Sequence, residues 1–316
     1  MYLWLSLVIS LLVNRWLGEP RAGHPVVLYR RLARRVEVAL SRGVADDPGG
    51  RALLLGRGAV ALILMVLPAV ALASMVQLWL WWWSPLLFVG GAALILALAI
   101  ARNTLMRYAH YIAGRLAEGD LPGARRELAR ILSRDCEALS EEEVSRALVE
   151  AILRNGNDNL LASVFWFVLG GLPGVAMHRA VHILNGCWDN DDFSWATRRC
   201  ETLLNWVPAR LTAISYAAAG RLRPALRCWQ RQSGNWSYRQ AEARNATPLL
   251  AAGGGALGIV LGGPIRRDGL VIERPLFGDG RAPCPTDVER ALTLINRGLA
   301  LWLLLLLVAA AWPAAT

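Results

Sequence analysis

The sequence predicts an all-α integral membrane protein, with about four to five membrane helices, kinked or re-entrant segments and a cytoplasmic helical region. Three observations predict it. Of 316 residues, 55% are hydrophobic and 18% charged, against about 25% charged in an ordinary soluble domain. The stretches 58–83, 85–101 and 299–316 carry no ionisable side chain, and a helix needs about 20 apolar residues to span hydrocarbon. Arginine-rich stretches alternate with the apolar ones, the pattern that retains short loops on the cytoplasmic side.

Taken in order, residues 1–17 form a first apolar helix. It lacks a basic leader and a small-residue cleavage site, so a retained anchor is expected rather than a signal peptide. Residues 30–57 hold seven arginines and read as cytoplasmic. The second helix runs from about Gly58 to Trp83, where "LWLWWW" makes an interfacial aromatic belt. Ser84-Pro85 turns the chain into a third helix ending near Ala101. Residues 102–154 carry nine arginines together with acids. Ala124, Leu128, Ile131 and Leu132 recur at helical spacing, and Ser140 with Glu143 forms a capping box. The apolar run 160–177 is interrupted by Gly170, Gly171, Pro173 and Gly174, and the run 206–220 by Arg210. Broken segments at membrane depth are tolerated where they line a cavity, so both are expected to be half-inserted or kinked. Residues 251–263, "AAGGGALGIVLGG", are too glycine-rich for an ordinary span. A last helix, about 299–312, anchors the C-terminal end. The organisation is therefore five regions: 1–101, membrane helices with an arginine-rich loop; 102–158, cytoplasmic helices; 159–220, kinked membrane-associated segments; 221–297, a glycine-rich site region; and 298–316, a membrane helix.

Composition excludes some chemistry. All 34 basic residues are arginine, which rules out a Schiff-base lysine or a Walker lysine. The net charge of +10 is assigned to cytoplasmic loops facing a lipid bilayer, not to nucleic acid, because no aromatic-interleaved basic patch accompanies it. Five cysteines, none in a C-x-x-C pair, give neither a disulfide framework nor a zinc site.

Several residues could carry function, and each has a plainer role. His24 lies in "GEPRAGHPV", a rigid turn leaving the first helix. Arg134 and Asp135 sit between two predicted helices, as an ion pair or cap would. Asn155 and Asp158 share a helix face, with Glu150 five residues before. Asn157 or Asp158 could simply cap a helix starting near Leu160, while two carboxylates flanking an amide would suit magnesium and phosphate. His178 and His182 are four apart but lack the glutamate of H-E-x-x-H, and no residue is assigned to a dedicated metal site. Asp189, Asp191 and Asp192 read as a solvated turn. Arg210 in "NWVPARL", with Asn205, is harder to dismiss, since an arginine inside an apolar run needs a partner or a ligand.

In this order and spacing, "GEPRAGHPV", "SRDCEALSEEEVSRALVEAI", "GGLPG", "LLNWVPARLTA", "NATPLLAAGGGALGIVLGGP" and "ERPLFGDG" resemble the adenosylcobinamide-phosphate synthase family of cobalamin biosynthesis (the CobD/CbiB family), from Gly18 to about Arg281. The resemblance implies an integral membrane ligase of the bacterial cytoplasmic (inner) membrane, multi-pass. It would form an amide between adenosylcobyric acid, a corrinoid, and aminopropanol or its phosphate, with Mg2+ and ATP as cofactors. It implies catalytic roles for Glu150, Asn155, Asp158 and Arg210, and substrate binding by His24, Arg134, Asp135, Asn205 and Asn245 around a corrin-sized cavity. A complex with other corrinoid-pathway enzymes is a possible further partnership. The chain departs from the family pattern at Arg154, Asn159, Asn185 and Thr202, the first, third and fourth standing where acids are expected. A non-catalytic relative acting as a sensor or assembly partner is the alternative those departures raise.

Overall fold

The structure, a computed structural model, describes residues 2–16, 25–44, 47–100, 102–132, 135–233, 243–267 and 270–311. Among these the chain groups into two compact units. One comprises Met1–Ala101 and Ala162–Trp206, the other Arg102–Leu161 and Val207–Thr316.

The first unit contains α1 (Tyr2–Trp16), α2 (Pro25–Ser41), α3 (Pro48–Trp83), α4 (Pro85–Ala99), α8 (Ala162–Asn185) and α9 (Trp195–Leu204). Helix α3 starts ten residues before the apolar run. Asp47 accepts the Gly50 N–H at 2.6 Å and Pro48 occupies the first turn, a combination that starts a helix whatever the hydropathy beyond it. Ser84 ends α3 and caps α4, as the Ser-Pro pair predicts. Asn14 of α1 donates to the carbonyls of Ala97 and Ile100 at 2.7 and 2.8 Å, which satisfies the open C-terminal end of α4. Helix α8 is bent at Gly171 (φ 61°, ψ −144°). The bend exposes the Leu172 N–H, which donates to Gln77 Oε1 of α3 at 2.8 Å. Ala33, Leu62, Met65, Val181, Trp188 and Phe193 share the apolar core of this unit.

The second unit contains α5 (Arg102–Ala117), α6 (Leu121–Leu132) and α7 (Glu141–Asn155), then a π-helical turn (Gly156–Leu161). It continues with α10 (Trp206–Ala219), most of which falls in this unit, α11 (Leu222–Gln232), α12 (Ala243–Leu257) and α13 (Thr286–Ala311). Asp120 starts α6. The Gly123 N–H and then Arg115 hold its carboxyl below the usual carboxylate range. The Ser140–Glu143 capping box is present in both directions. Two small antiparallel hairpins, which the sequence did not suggest, follow α12. In one, β1 (Val260–Gly262) pairs with β4 (Leu276–Gly278). In the other, β2 (Ile265–Arg267) pairs with β3 (Leu270–Ile272). The glycine-rich run 251–263 is thus a helix end leading into a strand. Gly253, Gly254 and Gly255 let Leu153, Gly278 and Ala225 approach α12 closely.

Three helical stretches are long and apolar enough to cross a membrane: Pro48–Trp83, Glu141–Asn185 and Thr286–Ala311; Tyr2–Asn14 and Pro85–Ala99 are shorter apolar helices. Trp79, Trp81, Trp82 and Trp83 are all exposed on α3. The expected helix start near Leu160 is not found. Helix α7 runs into α8 through the π turn without a loop, so Asn157 and Asp158 lie inside helical backbone and cap nothing. Helix α10 is likewise unbroken at Arg210.

Candidate functional site

In the second unit α7 and the two hairpins enclose a cavity of about 270 Å³. Glu150 of α7 lies at its floor with a side chain 7% exposed. Its Oε1 accepts the Gly262 N–H at 2.7 Å, and Arg274 meets it with two guanidinium nitrogens at 3.0 and 3.2 Å. Arg274 also donates to the Gly263 carbonyl at 3.0 Å. A buried carboxylate is stable only when paired and hydrogen-bonded in this way. The pair fixes the β1–β2 turn and the segment before β4 to α7, and so shapes the cavity.

The remaining lining is of mixed charge. Asp135, Glu143 and Arg146 all face the cavity. Arg146 is ion-paired with Glu142, yet its buried Nε has no hydrogen-bond partner among the described residues. A buried N–H left undonated costs free energy; the side chain as a whole is 22% exposed and brings positive charge to the cavity lining. Asp135 also accepts the Glu137 N–H at 2.8 Å.

Beyond Glu150 the helix carries the polar cluster of the π turn. Asn155 donates to the Ala151 carbonyl and accepts from Asn159, both at 2.8 Å. Asn157 donates to Asp158 Oδ1 at 2.8 Å and accepts from Thr212 Oγ1 of α10 at 2.9 Å. Tyr216 Oη donates to the Leu153 carbonyl at 2.9 Å, one of the carbonyls that a widened turn leaves available. π turns of this kind concentrate at functional sites. Gly156 is required here, because a Cβ would press on Tyr216 Oη at 2.8 Å and Ile295 Cγ1 at 2.9 Å. Arg210, two residues before Thr212, is half-buried on α10, and Asn245 is buried on α12. Glu150 and Asp158 are eight residues apart, about 12 Å along a helix axis. They cannot share one magnesium ion, whose ligands lie about 2.1 Å away.

The predicted site residues thus fall into several places. Glu150 and Asp135 line one cavity. Asn155 ends α7, Asp158 lies in the π turn that follows, and Arg210 and Asn245 lie on α10 and α12 of the same unit. Asn205 belongs to the other unit. It donates to Glu201 Oε1 at 2.8 Å, the oxygen that also meets His182 Nδ1 at 2.8 Å. His178, fully buried, stacks on His182 with ring centroids 6.2 Å apart. His24 and Arg134 lie outside the described residues. Asp191 and Asp192 of the predicted solvated turn pair with Arg198 and Arg51. The sequence reading passed over Arg146, Arg274 and Gly262. Arg274 and Gly262 stand in "ERPLFGDG" and "NATPLLAAGGGALGIVLGGP", blocks that carry the resemblance but give neither residue a role.

Apolar spanning helices with a charged, partly enclosed cavity in a helical unit define an integral membrane protein with the makings of a small-molecule site. The comparisons give the particular family: residues 7–295 match the CobD/Cbib protein family, and the chain belongs to it. Two curated relatives named cobalamin biosynthesis protein CobD are close in length. That of Stutzerimonas stutzeri is 41% identical over 97% of this chain and 98% of its own. That of Chromobacterium violaceum is 40% identical over 97% and 96%. A third relative of that name, from Rhodobacter capsulatus, is 33% identical over 97% of both. No solved structure matches the chain.

Proposed function

We propose that this protein is an adenosylcobinamide-phosphate synthase. It would join the amine of aminopropanol, or of its phosphate, to the free carboxylate of adenosylcobyric acid in the bacterial cytoplasmic membrane. The family and its relatives support the coarser statement, a role in cobalamin biosynthesis. The finer one draws its support from the mixed-charge cavity.

Amide formation from a carboxylate needs an activated acid, a positioned amine and stabilisation of phosphate charge. ATP, bound with Mg2+, would supply the activating phosphoryl group. The residues present fit that chemistry. Arg146 lines the cavity with a guanidinium of the kind that pairs with phosphate oxygens, and Asp135 and Glu143 bring carboxylate oxygens of the kind magnesium takes. Glu150 and Arg274 hold the cavity's shape and neutralise each other. At about 270 Å³ the cavity falls below the usual range of about 300–1,000 Å³ for drug-sized ligands. It suits the small phosphate-bearing reactant and is too small for a corrin, so the corrin-sized cavity expected from the sequence is not this one. Other corrinoid-pathway enzymes are natural partners for handing over such a substrate.

The test is an assay of the purified protein with adenosylcobyric acid, Mg-ATP and, in parallel, aminopropanol phosphate or aminopropanol, read by mass spectrometry of the corrinoid. Adenosylcobinamide phosphate is the expected product. Arg146→Gln should lower kcat/KM by about tenfold or more, the worth of one charged hydrogen bond. A folded parent that forms no product with either amine overturns the proposal in favour of a non-catalytic relative.

A further inference from the structure

Helix α11 has the sequence LRPALRCWQRQ. Arg223, Arg227 and Arg231 recur at i, i+4 and i+8, which places them within an arc of about 80° on one side of the helix. All three are exposed, and none has an ion pair or hydrogen bond among the described residues. Arg130, Arg146 and Arg290 each pair with an acid on their own helix, Glu127, Glu142 and Asp287; among the described residues the α11 row has no such pair. Asp279 acts on Cys228 from the same neighbourhood as Arg227 and Arg231, one acid against three arginines; like charges four residues apart weaken a helix, so the row's excess positive charge calls for an external anion.

The surroundings indicate which anion. Pro224, Ala225 and Cys228 face α12, where they meet Gly255. The arginines point away from that contact. Leu222 is 50% exposed, and Leu226 and Trp229 are partly so, leaving apolar surface next to the arginine row. Arginine on one side with leucine and tryptophan beside it is the composition of a helix lying in a membrane interface. The level also fits. Gly220, just before α11, lies against Ala256 and against Leu294 of α13; a Cβ there would be 2.8 and 3.1 Å from them. Arg297 is the last charge of α13, and the uncharged run begins at Gly298. Leu294 therefore precedes Leu299 by about 8 Å of helix rise. The headgroup region on each side of a bilayer is about 5–8 Å thick, so α11 starts at the depth of the lipid phosphates.

We propose that α11 is an interfacial helix whose row of Arg223, Arg227 and Arg231 binds the phosphates of anionic lipid headgroups. It thereby anchors the second unit to the membrane surface independently of α13. The proposal does not depend on the enzymatic reading.

Native mass spectrometry of the full-length protein, released from mixed phosphatidylglycerol–phosphatidylcholine nanodiscs, tests it. The parent should retain phosphatidylglycerol over phosphatidylcholine by about tenfold or more, as three arginines near an anionic surface would give. The Arg223→Gln, Arg227→Gln, Arg231→Gln triple variant should lose most of that preference. The corresponding triple lysine variant should keep it. Circular dichroism of the glutamine variant should show an unchanged melting temperature or a raised one, since a repulsion has been removed; a misfolded glutamine variant shifts the comparison to Arg227→Gln alone, expected to fall partway. Equal phosphatidylglycerol retention by parent and folded variant overturns the proposal. Row-dependent capture of polyglutamate with no lipid preference also overturns it, in favour of an acidic protein partner.

Discussion

Glu150 and Arg274 are 124 residues apart and meet in a two-toothed ion pair with side chains 7% and 14% exposed. At that burial the cost of losing one partner exceeds the worth of the pair, because the survivor is left charged in a poor solvent. Arg274→Met should therefore destabilise the second unit by about 3–5 kcal/mol, read as earlier denaturant unfolding in micelles. Adding Glu150→Gln to it should restore part of that loss, and a double variant worse than the single would contradict the assignment. Only Glu150 was legible in the sequence. Both residues stand in family-like blocks, but Glu150 lies on an evident helix whereas its partner sits in a short loop, and no local periodicity links positions so distant. Asp158 is the reverse case. Its place beside Asn155 was readable, but its suggested role as a cap was not correct, since the helix passes through it. Asp158→Asn keeps the side chain's size and should change stability by less than about 1 kcal/mol. If the π turn carries transition-state charge, synthase activity should fall on the order of a hundredfold. Equal activity in both proteins would remove Asp158 from the site.

At the scale of elements, the bend in α8 was the most legible feature of the chain. "GGLPG" combines a residue free to take positive φ with a proline that lacks an N–H, and the structure bends at Gly171. A methyl group at Gly171 would overlap the amide of Gln77, besides being strained at that backbone angle. Gly171→Ala should then cost about 1–3 kcal/mol. Gly170→Ala next to it meets nothing within 4 Å and should be neutral or slightly stabilising, as alanine is in helices. Thermal denaturation of both variants in micelles checks the contrast, and equal effects would mean the bend is not fixed by Gly171. What stayed hidden were features smaller than a periodicity window. The strands are three residues each, too short for alternation to register. The π turn inserts one residue into a helix, which hydropathy does not report. The early start of α3 was masked by Arg51 and Arg57, although Asp47-Pro48 announced it.

For the whole molecule the membrane class follows from composition alone, because bilayer thickness sets a helix length that few soluble proteins reach without charge. Orientation is a separate inference. The arginine-rich stretches 30–57 and 102–154 belong to different compact units, and the retention of arginine-rich loops predicts a cytoplasmic location for each. On the proposed synthase reading, cytoplasmic ATP would reach the second unit's cavity, where Arg146 and Glu143 sit on α7, only if the second stretch faces inward. Single cysteines at position 46 and at the exposed Glu118 report this without disturbing Asp120, which holds the start of α6 through Gly123 at 2.8 Å. In intact cells an impermeant maleimide should label neither position above the background of the native cysteines. After permeabilisation both should label fully. Labelling of position 118 in intact cells would place the cavity outside, cut it off from ATP and remove the physical basis of the synthase proposal. Labelling of position 46 alone would leave the cavity inside and reverse only the orientation of the N-terminal helices.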